Sequence, residues 1–181
     1  MAKSEYGLLK DFLYDAIFIP EGVEPPDRSI VDLPELAVYY EDFGSGEADI
    51  CVVADLSADS GSDDSGSAES GNGDSGIVNG DSDSAPVHQV GAAWSRIMND
   101  YGHVDDDTPS IAISVKAPYR ARGIGTGLLD ELCSRLRDKG FSRVSLAVQK
   151  ANYAVRMYER AGFRTIGENT EEYIMVKDLN V

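Results

Sequence analysis

Arg120-Ala121-Arg122-Gly123-Ile124-Gly125-Thr126-Gly127 is the stretch whose reading decides the fold. An apolar run ending in Ala117-Pro118-Tyr119 precedes it, and an amphipathic stretch beginning Leu128-Leu129 follows. The order is strand, turn, glycine-rich loop, helix. Such a loop lines up successive backbone N–H groups at a helix N-terminus, where the helix dipole adds partial positive charge. Glycine lets that backbone come close to a ligand. The stretch suits a phosphate or pyrophosphate. A P-loop would need Lys-Ser/Thr after the last glycine, where Leu128-Leu129 stands. The dinucleotide fingerprint needs a wider second glycine gap than Gly123-x-Gly125-x-Gly127 offers. A plain strand-to-helix turn is the bland alternative.

Working outward, residues 109–116 alternate, with Ile111, Ile113 and Val115 on one face, and read as a strand. A helix is predicted over 123–139. Its stripe is Leu128, Leu129, Leu132, Cys133 and Leu136, its stop is Gly140, and Arg135, Arg137 and Lys139 complement its dipole. Next come a strand near 143–148, a helix over 152–161, and strands near 163–166 and 172–176. On the N-terminal side, Ser4 is placed to cap a helix carrying Leu9, Phe12, Leu13 and Ala16. Asp32 and Glu35 form an expected capping box with Pro34 in the first turn. Residues 50–54 and 90–97 read as strands.

The chain has 181 residues and is 42% hydrophobic, which predicts one globular domain over 1–181. No stretch approaches 18 consecutive apolar residues, and the N-terminus lacks a basic region followed by an apolar core. Neither secretion nor a membrane partner is expected, and the expected location is cytoplasmic. Cys51 and Cys133 lack metal-ligand spacing, so no metal is expected and both read as buried small hydrophobes.

The net charge of -16 is uneven. Residues 1–56 carry 13 acids and 3 bases, residues 57–86 carry 7 acids and no base, and residues 87–181 carry 12 acids and 13 bases. The part with the glycine loop is the only part not strongly acidic, which fits a polyanionic ligand there. No broad basic surface is evident, which argues against nucleic acid. Residues 57–86 hold 9 Ser, 6 Gly, 6 Asp and 1 Glu and read as a flexible acidic insertion, an elongated connection between two strands. A docking tail for a basic partner is the alternative.

The Arg-x-x-Gly-x-Gly pattern of Arg120, Gly123 and Gly125 resembles motif A of the GCN5-related N-acetyltransferases, the GNAT family. The block from Asn152 through Tyr158 to Gly162-Phe163 is similar to the family's "N…Y…GF" segment. The acidic surplus resembles that of proteins from halophilic archaea. The family resemblance implies an α/β fold with a mixed, mostly antiparallel central sheet flanked by helices, and acetyl-CoA as cosubstrate. It places the pyrophosphate on Arg120, Ala121, Arg122, Gly123, Ile124, Gly125 and Thr126, and the acyl part against the backbone of Ile113, Ser114 and Val115. Asn152 is implied as a cofactor contact, although its spacing to Tyr158 is one residue shorter than is common, and helix capping explains it equally well. Homodimers are common in the family.

The implied reaction is acetyl transfer to a primary amine on a small molecule or peptide. It needs a polarised carbonyl, a neutral amine and a protonated leaving thiolate. Tyr158 matches the family's general acid, since a phenol with pKa near ~10 stays protonated at neutral pH. A core tyrosine is the bland reading. The family's glutamate base falls on Ala147, so the base is missing; Asp105, Asp106, Asp107, Glu24 and a water chain are the substitutes considered. His88 and His103 have no motif around them and read as structural or exposed. Alanine at 147 also keeps open a non-catalytic acyl-CoA-binding module.

Overall fold

The computed structural model describes residues 3–56 and 88–180. Six strands, β1 (Ile50–Leu56), β2 (His88–Arg96), β3 (Ser110–Val115), β4 (Arg143–Gln149), β5 (Arg164–Glu168) and β6 (Glu172–Asp178), form one sheet. Their order across it is β1-β2-β3-β4-β6-β5. Every neighbouring pair is antiparallel except β3 and β4. The expected mixed, mostly antiparallel α/β sheet is what forms. Helices α1 (Leu9–Ala16), α2 (Pro34–Ala37), α3 (Ile124–Asp138) and α4 (Val155–Arg160) flank it.

Strand alternation sorts the side chains onto two faces. Ile111, Ile113 and Val115 of β3, with Val144, Leu146 and Val148 of β4, join α3 and α4 in one apolar cluster. The α3 stripe of Leu128, Leu129, Leu132, Cys133 and Leu136 is buried there as predicted. Each such leucine contributes roughly 2 kcal/mol by burial. The other face packs Ala92 and Trp94 of β2 and Ala112 of β3 against Leu9, Phe12 and Leu13 of α1. A polar clip closes this second layer. The Asp49 carboxylate accepts the Gly44, Ser45 and Gly46 N–H groups at 2.8, 3.1 and 3.1 Å. It also pairs with Arg96, which donates to the Val38 and Glu41 carbonyls.

Three helix starts differ from the sequence reading. Helix α1 begins at Leu9 after a 3₁₀ turn, Lys3–Leu8, so its N-cap is Leu8 and not Ser4. In α2, Pro34 takes the first position and makes Leu33 the N-cap, one residue too late for Asp32. The Asp32 carboxylate pairs instead with Lys10 and accepts the Tyr40 hydroxyl. Helix α4 is also shorter than expected, because a turn precedes Val155. The expected insertion, residues 57–86, lies outside the described residues; β1 and β2, which it joins, are antiparallel neighbours.

Candidate functional site

The glycine loop sits where β3 hands over to α3. A 3₁₀ turn, Ala117–Tyr119, ends at Arg120, and α3 starts at Ile124 with Gly123 as its N-cap. Gly123 has φ 82 and Ala121 φ 59, both left-handed. Glycine adopts that region without penalty, whereas alanine there costs about 1–2 kcal/mol. Two left-handed residues turn successive N–H groups toward one side, the geometry of an anion nest. The first intrahelical bond runs from Gly127 N–H to the Gly123 carbonyl at 3.0 Å. Among the described residues, none of the N–H groups of residues 121–126 has a hydrogen-bond acceptor. The loop therefore offers unpaired donors at the positive end of a 15-residue helix.

The two arginines divide. Arg120 Nε donates to the Val115 carbonyl at 2.8 Å, and its Nη2 reaches the Asp15 carbonyl at 3.4 Å. It ties the loop to the end of β3 and to α1. Arg122 is exposed over the Tyr119 ring, 5.6 Å from its centroid, with its charge toward solvent.

Beside the loop the sheet parts. Strands β3 and β4 pair at Ser110–Ser145 alone, with Ser145 N–H donating to the Pro109 carbonyl at 2.9 Å. β3 meanwhile stays paired to β2 along its whole length. Lys116 N–H donates to Val90 of β2, so by alternation Ser114 bonds to β2, while Ile113 and Val115 turn their N–H groups toward the gap. Of the three backbone positions expected at the acyl group, Ile113 and Val115 turn their N–H groups to the gap and Ser114 turns its own to β2. The Ser114 hydroxyl is buried on the α1 side of the sheet without a partner among the described residues.

Across the gap stands α4. The Asn152 carboxamide accepts the Ala154 N–H at 2.9 Å in the turn before α4, whose N-cap is Ala154 and not the Asn152 weighed from sequence. Tyr158 is 7% exposed, with its ring edge-on to Phe163 at 5.7 Å. Its hydroxyl has no hydrogen-bond partner among the described residues. Burial first, then the neighbouring Tyr153, pushes its pKa above the ordinary tyrosine value, so it stays protonated. Gly125, in the first turn of α3, faces Met157 of α4 and Ile113 and Val115 of β3. The nest, the parted strands and the Tyr158 helix thus meet at one place.

The acids weighed from sequence do not gather there. Asp105 accepts from Thr108 Oγ1 at 2.6 Å and from Asp107 N–H, and pairs with Arg143. The Thr108 hydrogen bond is the main reason its pKa is lowered. Asp106, Asp107, Glu24 and His88 are exposed. His103 is partly buried, with Nδ1 3.0 Å from the Met98 carbonyl oxygen. The sequence reading missed Asp100. Its Oδ2 accepts the Tyr39 hydroxyl at 2.6 Å and its Oδ1 accepts the Ser110 hydroxyl at 2.7 Å. Burial, reinforced by the Asp100 charge, pushes Tyr39 well above the ordinary tyrosine value. No local signal marks this cluster, because Tyr39 lies 61 residues from Asp100. One surface groove of about 290 Å³ lies apart, between α1 and Arg28–Asp32, and another of about 490 Å³ runs between β1 and α3 and reaches Ile124 at the head of α3.

The fold and site define an α/β protein whose sheet opens beside an anion nest at a helix head. The chain belongs to the acetyltransferase (GNAT) family, whose model matches residues 73–163. It is 31% identical over 78 residues to a mycothiol acetyltransferase of Propionibacterium freudenreichii subspecies shermanii, a span of 42% of this chain and 24% of that protein. Among solved structures it is similar to the PaiA N-acetyltransferase of Thermoplasma acidophilum in complex with coenzyme A, with 22% identity, TM-score 0.43 and coverage of 50% of this chain and 54% of that one. The ribosomal-protein-S18-alanine N-acetyltransferase of Escherichia coli matches with 23% identity, TM-score 0.43 and coverage of 51% and 63%. The chain thus spans about a quarter of that curated relative and roughly half to two thirds of these solved chains. Among the described residues no helix is long and apolar enough to cross a membrane.

Proposed function

We propose that this chain transfers the acetyl group of acetyl-CoA to a primary amine by direct attack. The row of unpaired N–H groups at residues 121–126, opening onto the β3–β4 gap, carries the reading. Acetyl-CoA supplies the thioester. The N–H row and Arg122 hold its pyrophosphate, with Arg120 bracing the loop. The Ile113 and Val115 N–H groups face the acyl oxygen, where negative charge builds as the amine adds. Asn152, its oxygen engaged in the turn, turns its amide nitrogen to the cofactor. Tyr158 donates a proton to the departing thiolate, whose conjugate acid has a pKa near ~8.5.

Calorimetric titration with acetyl-CoA in high salt, followed by turnover against a panel of amines, tests this. High salt suits the strongly acidic chain, read here as salt-adapted. Failure to bind acetyl-CoA refutes the proposal. Ala147 favours a second reading, a non-catalytic acyl-CoA-binding module, which predicts binding without turnover and no effect of Tyr158→Phe.

A further inference from the structure

We propose that Asp100 is the proton acceptor for the incoming amine and that the acceptor reaches it as a cation. This rests on the acetyl-transfer reading above. Asp100 stands at the point where the sheet parts. Its Oδ1 holds the hydroxyl of Ser110, the one β3 residue that still pairs with β4. The Ser110 and Ser145 hydroxyls are 3.4 Å apart, so the carboxylate lies over both strands at the closed end of the gap.

The turn that carries Asp100 also covers the strand next to position 147. A Cβ on Gly102 would sit 2.8 Å from Ala147 N and 3.1 Å from Leu146 Cα, so only glycine permits this approach. Ser145 and Ala147 share one face of β4, about 6.6 Å apart along the strand. The turn that seats Asp100 on Ser110 thus also lies against Leu146 and Ala147, and water carries the proton from an amine in the gap to its carboxylate. The short side chain at 147 leaves that face to the turn, and the turn brings its own acid.

Tyr39 and Ser110 are positioning residues. Each donates to one oxygen of Asp100 and fixes the plane of the carboxylate without neutralising it. Tyr39 is buried and its pKa is raised, so it stays protonated and donates to the carboxylate. The other titratable groups facing this cluster are Tyr101, His103 and Glu172. Among the described residues no lysine or arginine pairs with the Asp100 carboxylate, which leaves its charge for the substrate.

The step balances as follows. The ammonium gives one proton to Asp100, and its nitrogen lone pair forms the C–N bond. The C–S bond breaks with its electron pair going to sulfur, which takes the Tyr158 proton. The nitrogen's second proton returns to Tyr158, and Asp100 releases the first to solvent. The sum is ammonium plus thioester giving amide, thiol and one proton.

The test is Asp100→Asn in the full chain, with acetyl-CoA affinity and kcat/KM measured from pH 6.5 to 9.5 on the amine that wild type acetylates best. Loss of a proton acceptor costs about 10²–10⁴-fold at pH 7. The deficit should shrink about tenfold per pH unit, because the variant needs an amine already neutral, with pKa near ~10.4. Acetyl-CoA affinity should stay unchanged. Tyr39→Phe, which keeps the ring, should lower kcat/KM 3- to 10-fold with the wild-type pH profile, and it carries the test if Asp100→Asn does not fold. A pH-independent loss in Asp100→Asn, no loss in either variant, or a shifted profile in Glu172→Gln instead overturns the assignment. Wild type that binds acetyl-CoA but acetylates nothing overturns the transfer reading itself.

Discussion

Gly125→Ala separates folding from ligand binding. The added Cβ would meet Met157 Sδ at 3.4 Å, Val115 Cγ2 at 3.7 Å and Ile113 Cδ1 at 3.9 Å. All three are ordinary van der Waals contacts, so nothing must shift. Alanine is favoured over glycine inside a helix by about 0.5–1 kcal/mol, and a half-buried methyl adds a few tenths. The net expectation is about 1 kcal/mol of added stability, or roughly 2–4 °C in Tm for a chain of this size. The same methyl fills the notch between α3, α4 and the parted end of β3, directly below the N–H row. A ligand running from that row into the gap loses its closest approach, so acetyl-CoA affinity should fall at least about tenfold, or about 1.4 kcal/mol. Thermal unfolding without ligand and calorimetric titration with acetyl-CoA read the two effects separately. A stabilised variant with wild-type affinity would show that the notch is not the ligand's path. A destabilised one would show that the packing of α3 on α4 is misread.

Tyr158→Phe should leave stability within about 1 kcal/mol, because the hydroxyl has no hydrogen-bond partner to lose among the described residues, and should leave acetyl-CoA affinity intact while lowering kcat about 10²-fold in steady-state assays. Asp49→Ala should cost about 3–5 kcal/mol by urea unfolding, since it strips three backbone donors and strands Arg96 in a buried pair. Burial pushes the Cys51 thiol up to about 12 and raises Cys133, so the native chain should resist a thiol reagent at pH 8 and react on unfolding; that reagent can then follow coenzyme A release without background. Asp105 has a lowered pKa, mainly through Thr108, so its contribution is present above the unfolded value near ~3.9 and lost as pH falls through the folded one. Acid titration of Asp105→Asn should accordingly show a shallower loss of stability below about pH 4 than wild type.

What could be read along the chain was whatever is decided within a few residues. The α3 stripe from Leu128 to Leu136 and the glycine loop before it are local patterns, and both stand where the spacing put them. The alternation of β3 was legible too, including which side chains meet α3. Its backbone was not, because which N–H groups face the gap depends on the register with β2. Hence Ser114 was grouped with Ile113 and Val115, although its N–H belongs to the β2 ladder. The Asp32 capping box failed for a related reason: Pro34 shifted the cap by one residue, and Lys10, 22 positions away, took the carboxylate.

The acids show why the missing base was hard to place. With 32 acids and a net charge of -16, an individual aspartate in this chain carries little information, because solvation accounts for nearly all of them. Run position misleads as well. The Asp105-Asp106-Asp107 run drew attention by its density, yet its first member braces Arg143 and the other two face solvent. What distinguishes a working carboxylate is a set of donors that hold it in one orientation, and those donors come from elsewhere in the chain. Asp49 and Asp100 make the contrast. Asp49 is surrounded by N–H groups and an arginine, so its charge is spent on the fold. Asp100 is held by two neutral hydroxyls, has no cationic partner among the described residues, and stands where the strands part. That difference in partners is the physical ground for giving the first a structural role and the second a part in the proton transfer.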